Sequence, residues 1–139
     1  MLNPLRLLLR RTFLSFSLLA LVWLSSCATT GPALGEKGYK ENGKASYYSN
    51  KLSGKKMANG QRYSPGKKTA AHKKLPFGTK VRVTNPENGK SVKVRITDRG
   101  PFTPGRILDL SLKAARQLDL EKAGVAKVEM EVVKPAKKK

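Results

Sequence analysis

Nine carboxylates, one histidine and one cysteine hold most of the reactive chemistry available to this chain of 139 residues. Cys27 has no partner for an intrachain disulfide, and with His72 it makes too few ligands for a zinc site built from several Cys and His. The carboxylates sort by position. Glu36 and Glu41 read as part of a linker, Glu87 as a hairpin tip, and Asp119 and Glu121 as solvated residues after a helix. Glu129 and Glu131 read as the polar face of the last strand. Asp98 and Asp109 remain. Asp98 ends the best strand and opens the loop Asp98-Arg99-Gly100-Pro101-Phe102, where a side chain is held rigidly toward a groove. It either reacts there or holds its loop by hydrogen bonds or by pairing with Arg99. Asp109 stands before Ser111 at a helix start and reads as a partner for backbone N–H groups. One well-placed carboxyl group can give a proton and take one back.

The elements that must position these residues are mostly strands. Lys80–Thr84 alternates with Val81 and Val83 on one face, and Lys90–Thr97 alternates with Val92, Val94 and Ile96. Asn85-Pro86-Glu87-Asn88-Gly89 between them has turn chemistry and predicts a hairpin. Lys44–Tyr48 reads as a first strand and 126–133 as a last one. Ser111 caps one short helix marked by Leu112, Ala115 and Leu118. Alternation with a single apolar face, and no disulfide, predicts a small closed barrel that hides its sheet edges.

The first 26 residues read as an export signal. Arg6, Arg10 and Arg11 precede 15 uncharged residues, Thr12–Ser26, too few to span a bilayer. Leu24-Ser25-Ser26-Cys27 resembles a bacterial lipobox, in which the Cys thiol receives lipid and becomes the mature N-terminus. Ala28 rather than Asp after it resembles the sorting pattern for the outer membrane of a diderm bacterium. The expected organisation is a signal over 1–26, a lipidated Cys27 and flexible tether over 27–42, a domain over 43–133, and a basic tail over 134–139. The formal charge is +20, from 29 Lys and Arg against 9 Asp and Glu. Loss of the three signal arginines leaves +17 on the exported part, so nucleic acid is not the expected partner. Anionic wall polymer is, and salt should weaken the retention.

Several stretches occur in an order that resembles the rare-lipoprotein-A family of bacterial cell-wall proteins. They are Gly43-Lys44-Ala45-Ser46-Tyr47-Tyr48, Ala58-Asn59-Gly60-Gln61-Arg62-Tyr63, Thr69-Ala70-Ala71-His72, Leu75-Pro76-Phe77-Gly78-Thr79, Asp98-Arg99-Gly100-Pro101-Phe102 and Arg106-Ile107-Leu108-Asp109-Leu110-Ser111. The resemblance implies a mainly β fold, a six-stranded double-psi β-barrel with one or two short helices. It implies a lytic transglycosylase that cuts peptidoglycan between N-acetylmuramic acid and N-acetylglucosamine and leaves a 1,6-anhydro end. No cofactor or metal is expected, and the chain is expected to be a monomer. The family places its catalytic Asp at Asp98. Gln61, His72, Tyr48, Tyr63, Arg99 and Phe102 are the expected substrate-binding residues; His72 alternatively orients Asp98 or serves the fold, and some of the aromatics alternatively belong to the core.

Lytic cleavage suits an acid-poor domain. Hydrolysis of a glycoside usually takes two carboxylates. Lytic cleavage takes one, because the sugar's own 6-hydroxyl replaces activated water. The sequence departs from the resembled family at Gln61, where active members commonly carry Glu, and at Tyr47, where Trp is usual. The alternative expectation is therefore a catalytically silent peptidoglycan-binding lipoprotein on the same barrel, as expansin-like relatives suggest.

Overall fold

The computed structural model describes residues 30–138; the expected signal and Cys27 lie outside them. Six strands close into a barrel in the order β1-β5-β2-β4-β3-β6. They are β1 (Lys40–Tyr47), β2 (Thr69–Ala71), β3 (Lys80–Thr84), β4 (Ser91–Asp98), β5 (Arg106–Leu110) and β6 (Ala126–Lys134). The pairs β1/β5 and β2/β4 are parallel, and the other four are antiparallel. This is the mainly β, six-stranded barrel that the resemblance implies. Among the described residues, one helix, α1 (Leu112–Gln117), and one 3₁₀ turn (Asn50–Leu52) complete it.

Alternation builds the long strands. Val81 and Val83 of β3, Val92, Val94 and Ile96 of β4, and Val128, Met130 and Val132 of β6 are all buried in the interior. Each such side chain contributes about 1.5–3 kcal/mol through burial. The β3–β4 turn closes as its sequence requires. Asn85 Oδ1 accepts from Glu87 N at 3.0 Å, Asn85 Nδ2 donates to the Leu118 carbonyl at 3.0 Å, and Gly89 takes φ +71°. Ser111 caps α1, with its hydroxyl accepting from Ala114 N.

Two differences from the sequence reading matter for the site. Strand β1 begins at Lys40, so Glu41 stands on the barrel rather than in a linker. Asn42-Gly43 resembles linker chemistry, but Gly43 is there for packing: a Cβ on it would lie 2.6 Å from Ile107 Cγ2. The second difference is that Thr69–Ala71 and Arg106–Leu110, which no alternation marks in the sequence, are strands. Both of their faces are covered, so neither shows a clean alternation.

Candidate active site

Asp98 is the last residue of β4, and three donors converge on its carboxylate. The backbone N–H groups of Ala58 and Arg99 each donate to Oδ1 at 2.8 Å. The Tyr48 hydroxyl donates to Oδ2 at 2.8 Å. A carboxylate has about four acceptor sites, so one is left for a ligand. Burial, then the hydrogen bond to Asp98, then the charges of Asp98 and Asp109 push the Tyr48 phenol far above its ordinary value of 10.0. Tyr48 therefore stays a donor throughout the working pH range. Tyr63 backs it edge-on, with ring centroids 5.0 Å apart, and is itself 3% exposed.

The loop that supplies the Ala58 donor is pinned to the end of β4. Asn59 N donates to the Thr97 carbonyl at 3.2 Å, and the Thr97 hydroxyl reaches Met57 Sδ at 3.3 Å. Within the loop, Met57 N donates to the Gln61 carbonyl at 2.7 Å, and Gly60 turns at φ +89°. The Gln61 side chain is exposed; its Oε1 accepts from Asn59 Nδ2 at 3.1 Å. A cleft of about 150 Å³ opens at this end, lined by Tyr48, Leu52, Lys55, Lys56, Met57, Tyr63 and Asp98. Phe102, 83% exposed, presents a free aromatic face in the loop after β4.

A second carboxylate shares this end of the barrel. Ala71 of β2 pairs with Asp98 on one side and with Asp109 on the other, and Asp109 in turn pairs with Ser46 of β1. Ser46, Asp109, Ala71 and Asp98 thus form one row across four strands. Adjacent strands lie about 4.8 Å apart, so the two aspartate backbones are about 10 Å apart. Asp109 does not cap α1. Its Oδ1 accepts from the Ser46 hydroxyl at 2.8 Å, and it pairs with Arg106 at 3.2 Å. Asp109 and Ser46 were not among the expected site residues. The contact joins positions 63 residues apart and leaves no local signal.

His72 and Arg99 are placed differently from the aromatic residues. The His72 ring is buried, and its Nδ1 accepts from both Lys74 N (3.1 Å) and Leu75 N (3.0 Å). That assigns the ring proton to Nε2, which donates to Glu41 Oε2 at 3.0 Å. Burial pulls the imidazole below its ordinary 6.5 against the opposing pull of Glu41. Arg99 Nη1 donates to the His72 and Leu75 carbonyls at 3.2 and 2.9 Å, and its guanidinium stacks on Phe77 at 3.8 Å. His72 meets Asp98 only through the backbone, by His72 N donating to the Asp98 carbonyl at 3.2 Å. Glu41 and Phe77 are thus parts of the site's support that sequence reasoning missed. Among the described residues, no group of three His, Cys, Asp or Glu is placed to hold a metal ion.

This arrangement can give and take a proton at one fixed place beside a cleft with aromatic walls. Comparison with known proteins gives the family. Residues 40–130 match the family described as lytic transglycolase. The chain is 50% identical over 104 residues to the endolytic peptidoglycan transglycosylase RlpA of Vibrio cholerae, covering 73% of this chain and 40% of that protein. It is 50% identical over 93 residues to the probable endolytic peptidoglycan transglycosylase RlpA of Synechocystis, covering 67% and 29%. The chain thus spans 40% or less of these relatives' length. Among solved structures, the apo expansin of Clavibacter michiganensis superposes with a TM-score of 0.55 at 28% identity, covering 71% of this chain and 53% of that one. The Streptomyces papain inhibitor shares the fold, with a TM-score of 0.58 at 24% identity, covering 70% and 97%. With the match running from the start of β1 into β6 and through the Asp98 loop, the chain belongs to the lytic transglycolase family and is an RlpA-like double-psi β-barrel protein.

Proposed function

We propose that this protein is a lytic transglycosylase of peptidoglycan glycan strands and that Asp98 transfers the proton. The observation that carries this reading is the three-donor setting of Asp98 at the cleft. The Asp98 carboxylic acid gives its proton to the glycosidic oxygen as the bond from C1 of N-acetylmuramic acid breaks. The resulting carboxylate takes the proton of that sugar's 6-hydroxyl, whose oxygen bonds to C1. The products are a 1,6-anhydro end and a free hydroxyl on N-acetylglucosamine. Asp98 recovers its proton and no water is consumed. Holding nucleophile and electrophile in one sugar supplies the proximity that an activated water would otherwise need. Tyr48, the Ala58 N–H and the Arg99 N–H fix both carboxylate oxygens, so the transfer needs no rearrangement of the acid. Phe102 and Gln61, both exposed on loops at this end of the barrel, are proposed to stack on and hydrogen-bond sugar rings.

Gln61 favours a second reading, a wall-binding protein without turnover on the same barrel. An amide cannot donate a proton as a carboxylic acid does. The two readings separate on purified peptidoglycan. The first predicts soluble fragments with 1,6-anhydro ends by mass spectrometry. The second predicts co-sedimentation with sacculi and no fragments.

The protein is proposed to act in the cell envelope as a monomer held by lipid on Cys27, at the periplasmic face of the outer membrane. Support comes from the lipobox-like Leu24-Ser25-Ser26-Cys27 and from the envelope-directed names of the relatives. Metabolic labelling with a radiolabelled fatty acid, lost in Cys27→Ala, tests it.

A further inference from the structure

The outer face of β4, β3 and β6 carries cations in register. Lys80 of β3 stands directly opposite Arg95 of β4 on one side and Lys134 of β6 on the other. One row along, Arg82 stands opposite Lys93. Like charges directly opposite each other destabilise a sheet, so three such pairs are not there for the fold. Arg82 shares its charge with Glu131 at 3.5 Å. Among the described residues, none of Lys80, Lys93, Arg95 and Lys134 has a carboxylate within 4.0 Å. Lys93, Arg95 and Lys134 are exposed, and Lys80 is partly so. Lys68, whose carbonyl accepts from Arg95 N at 3.2 Å, extends the patch toward β2.

We propose that this face seats the barrel on an anionic lipid surface. The cations lie in two dimensions, across strands about 4.8 Å apart and at alternate positions about 6.8 Å apart along them. That layout matches a planar array of headgroup phosphates, whereas a single polymer strand calls for single file. The strands β3, β4 and β6 contain no aromatic residue, so the face offers no stacking platform for sugar rings or bases. The same strand β4 ends at Asp98, three residues beyond Arg95, so the seated face flanks the cleft without covering it. The inference does not depend on turnover and stands or falls apart from it.

The test is partitioning of the full chain onto vesicles of phosphatidylcholine with and without phosphatidylglycerol. The ratio between the two cancels apolar insertion by the N-terminal segment. Replacing Lys80, Lys93, Arg95 and Lys134 together by Gln is expected to lower that ratio several-hundredfold, at about fivefold per cation. The Lys93→Gln, Arg95→Gln pair alone should lower it about twenty-fivefold, which keeps the test decisive if the larger variant folds poorly. A control of equal charge off these three strands, Lys44→Gln, Lys51→Gln, Lys113→Gln and Lys122→Gln, should retain most of the binding. Equal losses in the face and control variants would overturn the proposal, since net charge alone would then explain the binding. Unchanged vesicle binding with weakened retention on sacculi or heparin would also overturn it, by assigning the face to a polymer.

Discussion

The Tyr48 hydroxyl donates to Asp98 Oδ2 at 2.8 Å across a separation of 50 residues. The residue after β1 thereby sets the acid at the end of β4. Tyr48→Phe keeps the ring and its edge-on packing on Tyr63 but removes this donor. A hydrogen bond to a charged group is worth about 1.5–3 kcal/mol, so strand cleavage should slow about 10- to 100-fold. Thermal melting should change little, because the vacated oxygen faces the cleft. Rates and melts on the same preparation check this.

Gln61→Glu should raise cleavage at least about tenfold, because a second titratable group at the cleft supplies acid or base assistance. The substitution should not cost stability. A Glu side chain can accept from Asn59 Nδ2 as Gln61 Oε1 does. Initial rates of fragment release from sacculi, compared between the two proteins, check it.

The imidazole of His72 lies below its ordinary 6.5 in the folded state because burial, with the charges of Arg99 and Lys73, outweighs the opposing pull of Glu41. Above 6.5 the folded and unfolded chains are both neutral at this residue, and its titration contributes nothing. As pH falls below 6.5 the unfolded chain takes up the proton first, so stability is lost progressively down to the folded value. His72→Asn should remove this pH dependence. It should also cost about 1–3 kcal/mol at neutral pH, through buried donors left unsatisfied. Denaturant melts between pH 4 and 8 check both.

Arg99 holds the 72–77 segment through two carbonyls and the Phe77 ring. Lysine matches neither the fork nor the stack. Arg99→Lys should lower stability by about 1–2 kcal/mol while leaving the affinity for glycan strands unchanged. Urea unfolding together with sacculus binding checks this. Weakened binding in a variant of full stability would instead place Arg99 on the substrate.

The legible parts of the fold were those with a local signature. Strands β3, β4 and β6 show apolar alternation, α1 shows its Ser111 cap, and the β3–β4 turn shows Asn85 and Gly89. Strand β5 was not legible because Ile107 and Leu108 are both buried, which erases its period. Strand β2 has only three residues, all buried. Asp98 was legible from its place at the end of a strand and from the scarcity of other acids. Its partners were not, since Tyr48 and Ala58 are brought to it only by closure of the barrel. Glu41 was hidden because Asn42-Gly43 looks like a linker until Ile107 is seen against the glycine. Asp109 reads as a partner for backbone N–H groups because it stands three residues before α1, yet its carboxylate meets Ser46 and Arg106 instead and lies in the row with Asp98.

The most direct measurement compares wild type with Asp98→Asn on purified glycan strands, reading 1,6-anhydro ends by mass spectrometry. Asn keeps the side chain's shape and can still accept from Tyr48 or Ala58, so the variant should fold, which its melting curve verifies. The account predicts anhydro products from the wild type and at least a thousandfold fewer from Asp98→Asn, the general acid–base contribution of about 10²–10⁴ being lost in both proton transfers. Undiminished anhydro product from a folded Asp98→Asn protein would contradict it.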